Sequence, residues 1–139
     1  MGAAGRVGPT AATIRAVDKT RLGCLVVLAL AAVQTIATLG VGSLELTALA
    51  VLFNAAAAFS TYLVLRRPAR TRWPLAIWTA GFFGWHVTGL ITMAGLVSTD
   101  LDAVFYLGSQ RELSIAYQVL LGTAAGFAVH LLLPRPEKR

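Results

Sequence analysis

RRPARTR, residues 66–72, places four arginines (Arg66, Arg67, Arg70 and Arg72) between two long apolar runs. Each of these runs is long enough to cross the hydrocarbon core of a bilayer, which takes about 20 residues. Short loops rich in Lys and Arg stay on the cytoplasmic side of a membrane. The segment therefore predicts a cytoplasmic loop between two transmembrane helices.

The composition of the whole chain agrees with a membrane location. Of 139 residues, 57% are hydrophobic and only 13% are charged, with a mean hydropathy of +0.72. A soluble domain has about 25% charged residues. The net charge of +6 comes from cations in tails and loops rather than on one polar face, so it indicates topology and excludes nucleic acid as a partner. The lipid bilayer is the expected partner.

Four apolar runs predict the fold: an all-α, integral membrane, four-helix antiparallel bundle with spans at about 22–41, 44–65, 73–97 and 113–133. Short first and second connections predict that neighbouring helices pack in sequence order. A basic, flexible tail is expected at 1–21, a short polar tail at 134–139, and an acidic connection at 98–112 whose apolar patch, 104–107, lies at the interface. A signal peptide is the alternative for 22–41, but that run exceeds the usual apolar length of about 7–15 residues.

Orientation follows from the cations. With four spans, eleven of the twelve Lys and Arg residues lie on one side, and Arg111 alone lies on the other. The positive-inside rule then predicts a multi-pass protein of the cell (cytoplasmic) membrane with both termini in the cytoplasm.

Each predicted span carries one strongly polar side chain near mid-membrane, about 17–23 Å from its cytoplasmic end at ~1.5 Å per residue. Unpaired polar groups in hydrocarbon cost several kcal/mol, so these side chains are expected to turn inward and hydrogen-bond to one another, to backbone or to water. Such a layer holds helices in register, or it lines a polar pocket around a titrating histidine. The four residues are Gln34, Asn54, His86 and Gln118.

Helical spacing adds two further expectations. Thr47, Asn54 and Thr61 recur every seven residues, which predicts one inward stripe on the second span. Gly122 and Gly126 form a Gly-x-x-x-Gly step that lets another helix approach closely. The second helix and the fourth helix of another copy both remain candidates for that approach. The segment GFFGWHVTG, residues 81–89, is the least ordinary in the chain.

Cofactor and enzyme signatures are absent from the sequence. Cys24 is the only cysteine, which excludes an intramolecular disulfide and a C-x-x-C redox pair. His86 and His130 differ in predicted depth by about 15 Å, too much for both to ligate one haem, although His86 from each of two copies meets the requirement. No nucleophile elbow, phosphate-binding glycine loop or metal-ligand cluster is present, so neither a metal site nor a cofactor is expected.

These observations predict a non-catalytic accessory or assembly component, acting as a homo-oligomer or within a larger membrane complex. A small channel or carrier with a polar layer around His86 is one alternative. A redox anchor that binds haem or quinone is the other. The sequence identifies no substrate and no specific partner.

Overall fold

The computed structural model describes residues 10–41, 44–66, 72–96 and 111–133. Within these ranges the chain is helical and forms no strand. All four helices are long and apolar enough to cross a membrane, which confirms the predicted all-α architecture. The helices are α1 (Ala11–Val41), α2 (Leu44–Arg66), α3 (Arg72–Met93) and α4 (Arg111–Leu132).

The first helix begins earlier than expected. Part of the segment expected to be a flexible tail, residues 11–21, belongs to α1, whose first hydrogen bond runs from the Ile14 amide to the Thr10 carbonyl, 3.1 Å. The sequence from 11 to 21 contains neither Gly nor Pro, so nothing interrupts helix propagation there. Since the apolar span inside α1 is Val17–Gly40, the first helical turns extend beyond it.

The third helix ends before the predicted boundary at 97, because Gly95 terminates it. Gly95 has a φ of 73°, and its amide donates to the Thr92 carbonyl at 2.9 Å. The Leu96 amide donates to the Ile91 carbonyl at 3.2 Å. This pair of bonds is a Schellman motif, which satisfies the last carbonyls of a helix. The expected interfacial patch at 104–107 lies outside the described residues.

Contacts between neighbouring helices are antiparallel. Asn54 of α2 bonds to Ala31 of α1 at 3.0 Å, whereas the earlier α2 residue Thr47 donates to the later α1 residue Thr38 at 3.5 Å. On the other pair, the Arg111 guanidinium donates to the Met93 carbonyl at 3.0 Å. The first turn of α4 therefore lies beside the last turn of α3.

The bundle consists of two hairpins, α1–α2 and α3–α4, joined mainly between α1 and α4. The contact between α2 and α3 is smaller and includes a 2.9 Å hydrogen bond from the Trp78 indole to the Phe53 carbonyl. Phe82, Leu75 and Val27 are completely buried in the shared core, and large apolar side chains such as Leu52 and Ile77 cover the outside. Apolar residues on both the inside and the outside are what a bundle surrounded by lipid requires.

Candidate functional site

Asn54 connects the two helices of the first hairpin. Its amide nitrogen donates to the Ala31 carbonyl at 3.0 Å and to the Thr35 hydroxyl at 2.8 Å. The Thr35 hydroxyl in turn donates to the Ala31 carbonyl at 2.8 Å. The inward orientation predicted for Asn54 is therefore present, and its partners are backbone and a threonine rather than the other three polar residues of the predicted layer.

His86 and Gln118 meet at the centre of the second hairpin. Nδ1 of His86 and Oε1 of Gln118 are hydrogen-bonded, and the two side chains are only 1% and 3% exposed. The Phe82 ring lies 4.5 Å and the Tyr117 ring 5.7 Å from the imidazole, measured between ring centroids. This bond fixes the position of α3 along α4, in a largely aromatic and small-residue environment.

Gln34, the fourth member of the predicted layer, is half-buried. Its Oε1 atom is buried and has no hydrogen-bond partner among the described residues. The structure thus pairs His86 with Gln118 and bonds Asn54 of α2 to Ala31 and Thr35 of α1. Gln34 lies one residue before Thr35. Sequence reasoning did not assign the partners of these four residues.

Several other buried polar atoms also lack a protein partner. Within the described ranges these are Asn54 Oδ1, Thr61 Oγ1, His86 Nε2 and Thr92 Oγ1. All four residues are at least nine-tenths buried. Thr61 lies on the α2 stripe expected from seven-residue spacing, whereas Thr92 was not singled out from the sequence.

The Gly122/Gly126 step faces α3, which is neither of the two helices considered from the sequence. A Cβ atom added to Gly122 would lie 3.5 Å from the His86 Cβ, and one added to Gly126 would lie 3.4 Å from the Phe83 ring. The step therefore brings α3 close to α4 within one chain. It is occupied, so it does not offer a free surface to a partner.

A second set of small residues lies on the opposite, outward face of α3 and was missed from the sequence. Ala80, Gly84 and Thr88 follow one another every four residues, with Gly81 beside them, and all are exposed. No atom of the described residues lies within 4 Å of a Cβ atom added to Gly81 or Gly84. The four-residue spacing inside the unusual 81–89 region was the signal that would have found it.

The arrangement of the histidines bears on haem binding. His130 is exposed near the end of α4, whereas His86 is 1% exposed at the α3–α4 contact. His86 cannot meet its counterpart in a second copy unless Phe82, Tyr117 and Gln118 move away from it. Within the described residues, no group of three or more His, Cys, Asp or Glu side chains is placed to hold a metal ion.

Arg66 and Arg72, the described residues of the arginine segment, lie at one end of the bundle. Arg66 closes α2 with its guanidinium 4.8 Å from the centroid of the Tyr62 ring, and Arg72 opens α3. Because neighbouring helices are antiparallel, the exposed Arg15 and Lys19 at the start of α1 lie at this same end. Arg67 and Arg70 lie outside the described residues.

Comparison of the chain with protein-family models, with curated proteins and with solved structures finds no match in any of the three.

Proposed function

We propose that this chain is a non-catalytic membrane component that binds a transmembrane helix of another chain through the outward face of α3. The observation that carries the proposal is the exposed set Ala80, Gly81, Gly84 and Thr88, defined here as the α3 small face. Small residues let two helix backbones approach closely and gain van der Waals contact, which drives helix association in lipid. A helix of a second copy and a helix of a different membrane protein both fit this chemistry.

Other glycines in the chain support this interpretation. An added Cβ atom at Gly23 would lie 3.0 Å from Leu132 Cδ2, and Gly122 and Gly126 similarly adjoin α3. In each of these cases a helix of the same chain fills the space above the glycine. Gly81 and Gly84 have the same small size in mid-helix, but none of the four described helices packs against them.

Glycine at positions 81 and 84 lowers the stability of α3 if lipid is the only neighbour. Glycine inside a helix is about 1 kcal/mol less favourable than alanine. Apolar side chains such as Ile77 and Leu52 occupy most of the remaining outward surface. A docked helix would make close van der Waals contacts with the backbone at Gly81 and Gly84, and these contacts would offset that loss.

Photocross-linking in native membranes tests this proposal. A benzophenone amino acid replaces Ile77, which is 68% exposed on the same side of α3, and a matched control replaces Leu52, which is 71% exposed on α2. We expect a discrete adduct from position 77 that is lost in the Gly81→Leu/Gly84→Leu variant, because leucine side chains fill the approach. The adduct mass distinguishes a second copy from another protein.

A matched substitution controls for the general effect of replacing an open glycine with leucine. Gly40→Leu also fills a position where no described atom lies within 4 Å, but it does so at the far end of α1. This variant should retain the adduct. Equal adducts from positions 77 and 52, or an adduct that survives Gly81→Leu/Gly84→Leu, would contradict the proposal.

The proposed location is the cell membrane, with both termini and the arginine segment in the cytoplasm. The grouping of Arg15, Lys19, Arg66 and Arg72 at one end of the bundle supports it through the positive-inside rule. Single cysteines introduced at Arg15 and at Glu45, in a Cys24→Ala background, test it with an impermeant maleimide. Labelling of intact cells at 45 but not at 15 is expected, and the reverse pattern would exclude this orientation.

Passage of a small polar solute is a second candidate function, favoured by the buried polar atoms around His86 and Asn54. It predicts solute flux in proteoliposomes that falls in His86→Leu and not in His130→Leu. His130 is exposed, so its loss leaves the interior intact. Flux equal to that of empty liposomes would remove this candidate.

A further inference from the structure

The interior of the bundle contains more hydrogen-bonding capacity than the protein satisfies. Five buried atoms lack a partner among the described residues: Gln34 Oε1, Asn54 Oδ1, Thr61 Oγ1, His86 Nε2 and Thr92 Oγ1. A buried polar atom without any partner is strongly unfavourable, and more so within hydrocarbon, where no bulk water is available. Five such atoms in one small bundle require a common explanation.

Other threonines of the bundle show that a hydrogen bond within the helix is available to a threonine hydroxyl. The hydroxyls of Thr35, Thr38, Thr79 and Thr88 each donate to the carbonyl four residues earlier, at 2.7–2.8 Å. This local bond is open to any helical threonine. Thr61 and Thr92 lie in helices and do not make it. Their hydroxyls are therefore free to bond to something else.

His86 defines the kind of group that its site accepts. The Gln118 Oε1 atom can only accept a hydrogen bond, so Nδ1 of His86 carries the ring proton. In a neutral imidazole, Nε2 then presents a lone pair and no hydrogen. The bare Nε2 atom lies in a residue that is 1% exposed. Its missing partner must be a small hydrogen-bond donor.

The five atoms extend along the bundle rather than clustering at one point. Thr61 follows Asn54 by seven residues on the buried side of α2, a rise of about 10 Å, and Thr92 follows His86 on α3 by about 9 Å. Thr92 lies in the last turn of α3, and Thr61 lies five residues before the end of α2 at the opposite end of the bundle. A single bulky ligand does not match this distribution.

We propose that the bundle interior binds water molecules at these five atoms, with His86 Nε2 accepting a hydrogen bond from one of them. Water is small, and it both donates and accepts, so it satisfies two carbonyl oxygens, one imidazole nitrogen and two hydroxyls alike. Buried water in proteins occurs where otherwise unsatisfied polar groups face a polar site. This inference does not depend on docking at the α3 small face.

Solid-state NMR on protein in lipid bilayers tests the histidine site directly. In ¹⁵N-histidine-labelled His130→Gln protein, His86 is the only labelled residue. We expect a protonated Nδ1, an unprotonated Nε2 with the shift of a hydrogen-bonded acceptor, and magnetisation transfer from water to the ring. A free-acceptor shift without transfer from water would overturn the proposal, as would a proton on Nε2.

Isosteric removal of a hydroxyl tests the threonine sites independently. If Thr61 binds water, Thr61→Val removes a hydrogen bond and lowers Tm. If its hydroxyl is dry, the same change removes an unsatisfied group and raises Tm. Thr79→Val is the matched control, because Thr79 is fully buried and bonds to its own helix at 2.7 Å. A Tm for Thr61→Val at or above that of the unsubstituted protein, with Thr79→Val below it, would contradict bound water at Thr61.

Discussion

The Asn54 amide on α2 donates a 2.8 Å hydrogen bond to the Thr35 hydroxyl on α1. The same amide reaches the Ala31 carbonyl at 3.0 Å, so one side chain joins two groups of the neighbouring helix. Hydrogen bonds between helices in membranes contribute about 0.6 kcal/mol on average, because the unfolded helices in lipid also find partners. The Asn54 contacts therefore specify the register of α1 against α2 more than they stabilise it.

Replacing Asn54 and Thr35 together should reveal the free energy by which they are coupled. We expect a coupling free energy of about 0.6 kcal/mol between Asn54→Ala and Thr35→Val in a double-mutant cycle. The measurement is reversible unfolding in mixed micelles, followed by circular dichroism. Thr88→Val combined with Asn54→Ala is the control pair, since Thr88 is on the exposed face of α3. Strict additivity of Asn54→Ala and Thr35→Val would show that this bond contributes no coupling.

Gly23 and Gly84 should respond differently to the same substitution. At Gly23 an added Cβ atom would lie 3.0 Å from Leu132 Cδ2, whereas at Gly84 it meets nothing within 4 Å. Gly84→Ala is expected to stabilise the bundle by up to about 1 kcal/mol through helix propensity. Gly23→Ala requires the Leu132 side chain to give by a few tenths of an ångström and is expected to lose that gain. Thermal unfolding in one detergent compares them, and equal stabilisation would contradict the close α1–α4 approach.

Among the described glycines, Gly95 should be the one at which alanine is least tolerated for backbone reasons. Its φ of 73° lies in the left-handed region, where a Cβ atom costs roughly 1–2 kcal/mol. Gly95→Ala should reduce the free energy of unfolding by about that amount, although nothing lies within 4 Å of the added atom. Gly81→Ala is the matched control, because Gly81 is equally open but helical. A stabilising Gly95→Ala would exclude the Schellman ending of α3.

Trp78 should matter most for the small contact between α2 and α3. Its indole donates to the Phe53 carbonyl at 2.9 Å, and its ring stacks on Phe53 with 5.1 Å between centroids. Trp78→Phe keeps an aromatic ring but removes the donor, for an expected loss of about 1 kcal/mol. Trp73→Phe provides the control, since Trp73 is 61% exposed. If both substitutions changed the stability of the bundle equally, the indole bond would have no specific role.

Local sequence features predicted the helices well because apolar length is sufficient for them. Four runs without deep charges, separated by Gly, Pro and Arg, predicted four spans, and the structure contains four such helices. Helix ends were less predictable. The start of α1 at Ala11 depends on the absence of helix-breaking Gly and Pro from residues 11–21. The end of α3 depends on the positive φ of Gly95.

The candidate site was predicted in composition but not in arrangement. Polarity alone indicated that Asn54, His86 and Gln118 face inward, because lipid tolerates no unpaired amide or imidazole. Which residue bonds to which depends on helix rotation and axial position, and these are set by packing of the whole bundle. The Gly122/Gly126 step illustrates the limit, since its spacing predicted a close helix but not that the helix is α3.

By itself, the sequence determined that the chain crosses lipid as helices and which polar side chains must be buried, because both follow from the free energy of transferring local groups into hydrocarbon. Only the tertiary structure decided that α3 covers the Gly122/Gly126 step, that the described residues leave the Ala80–Gly84–Thr88 side of α3 uncovered, and which buried atoms lack partners among them. Those outcomes depend on contacts between distant segments, and no local pattern of residues specifies how four similar apolar cylinders rotate against one another.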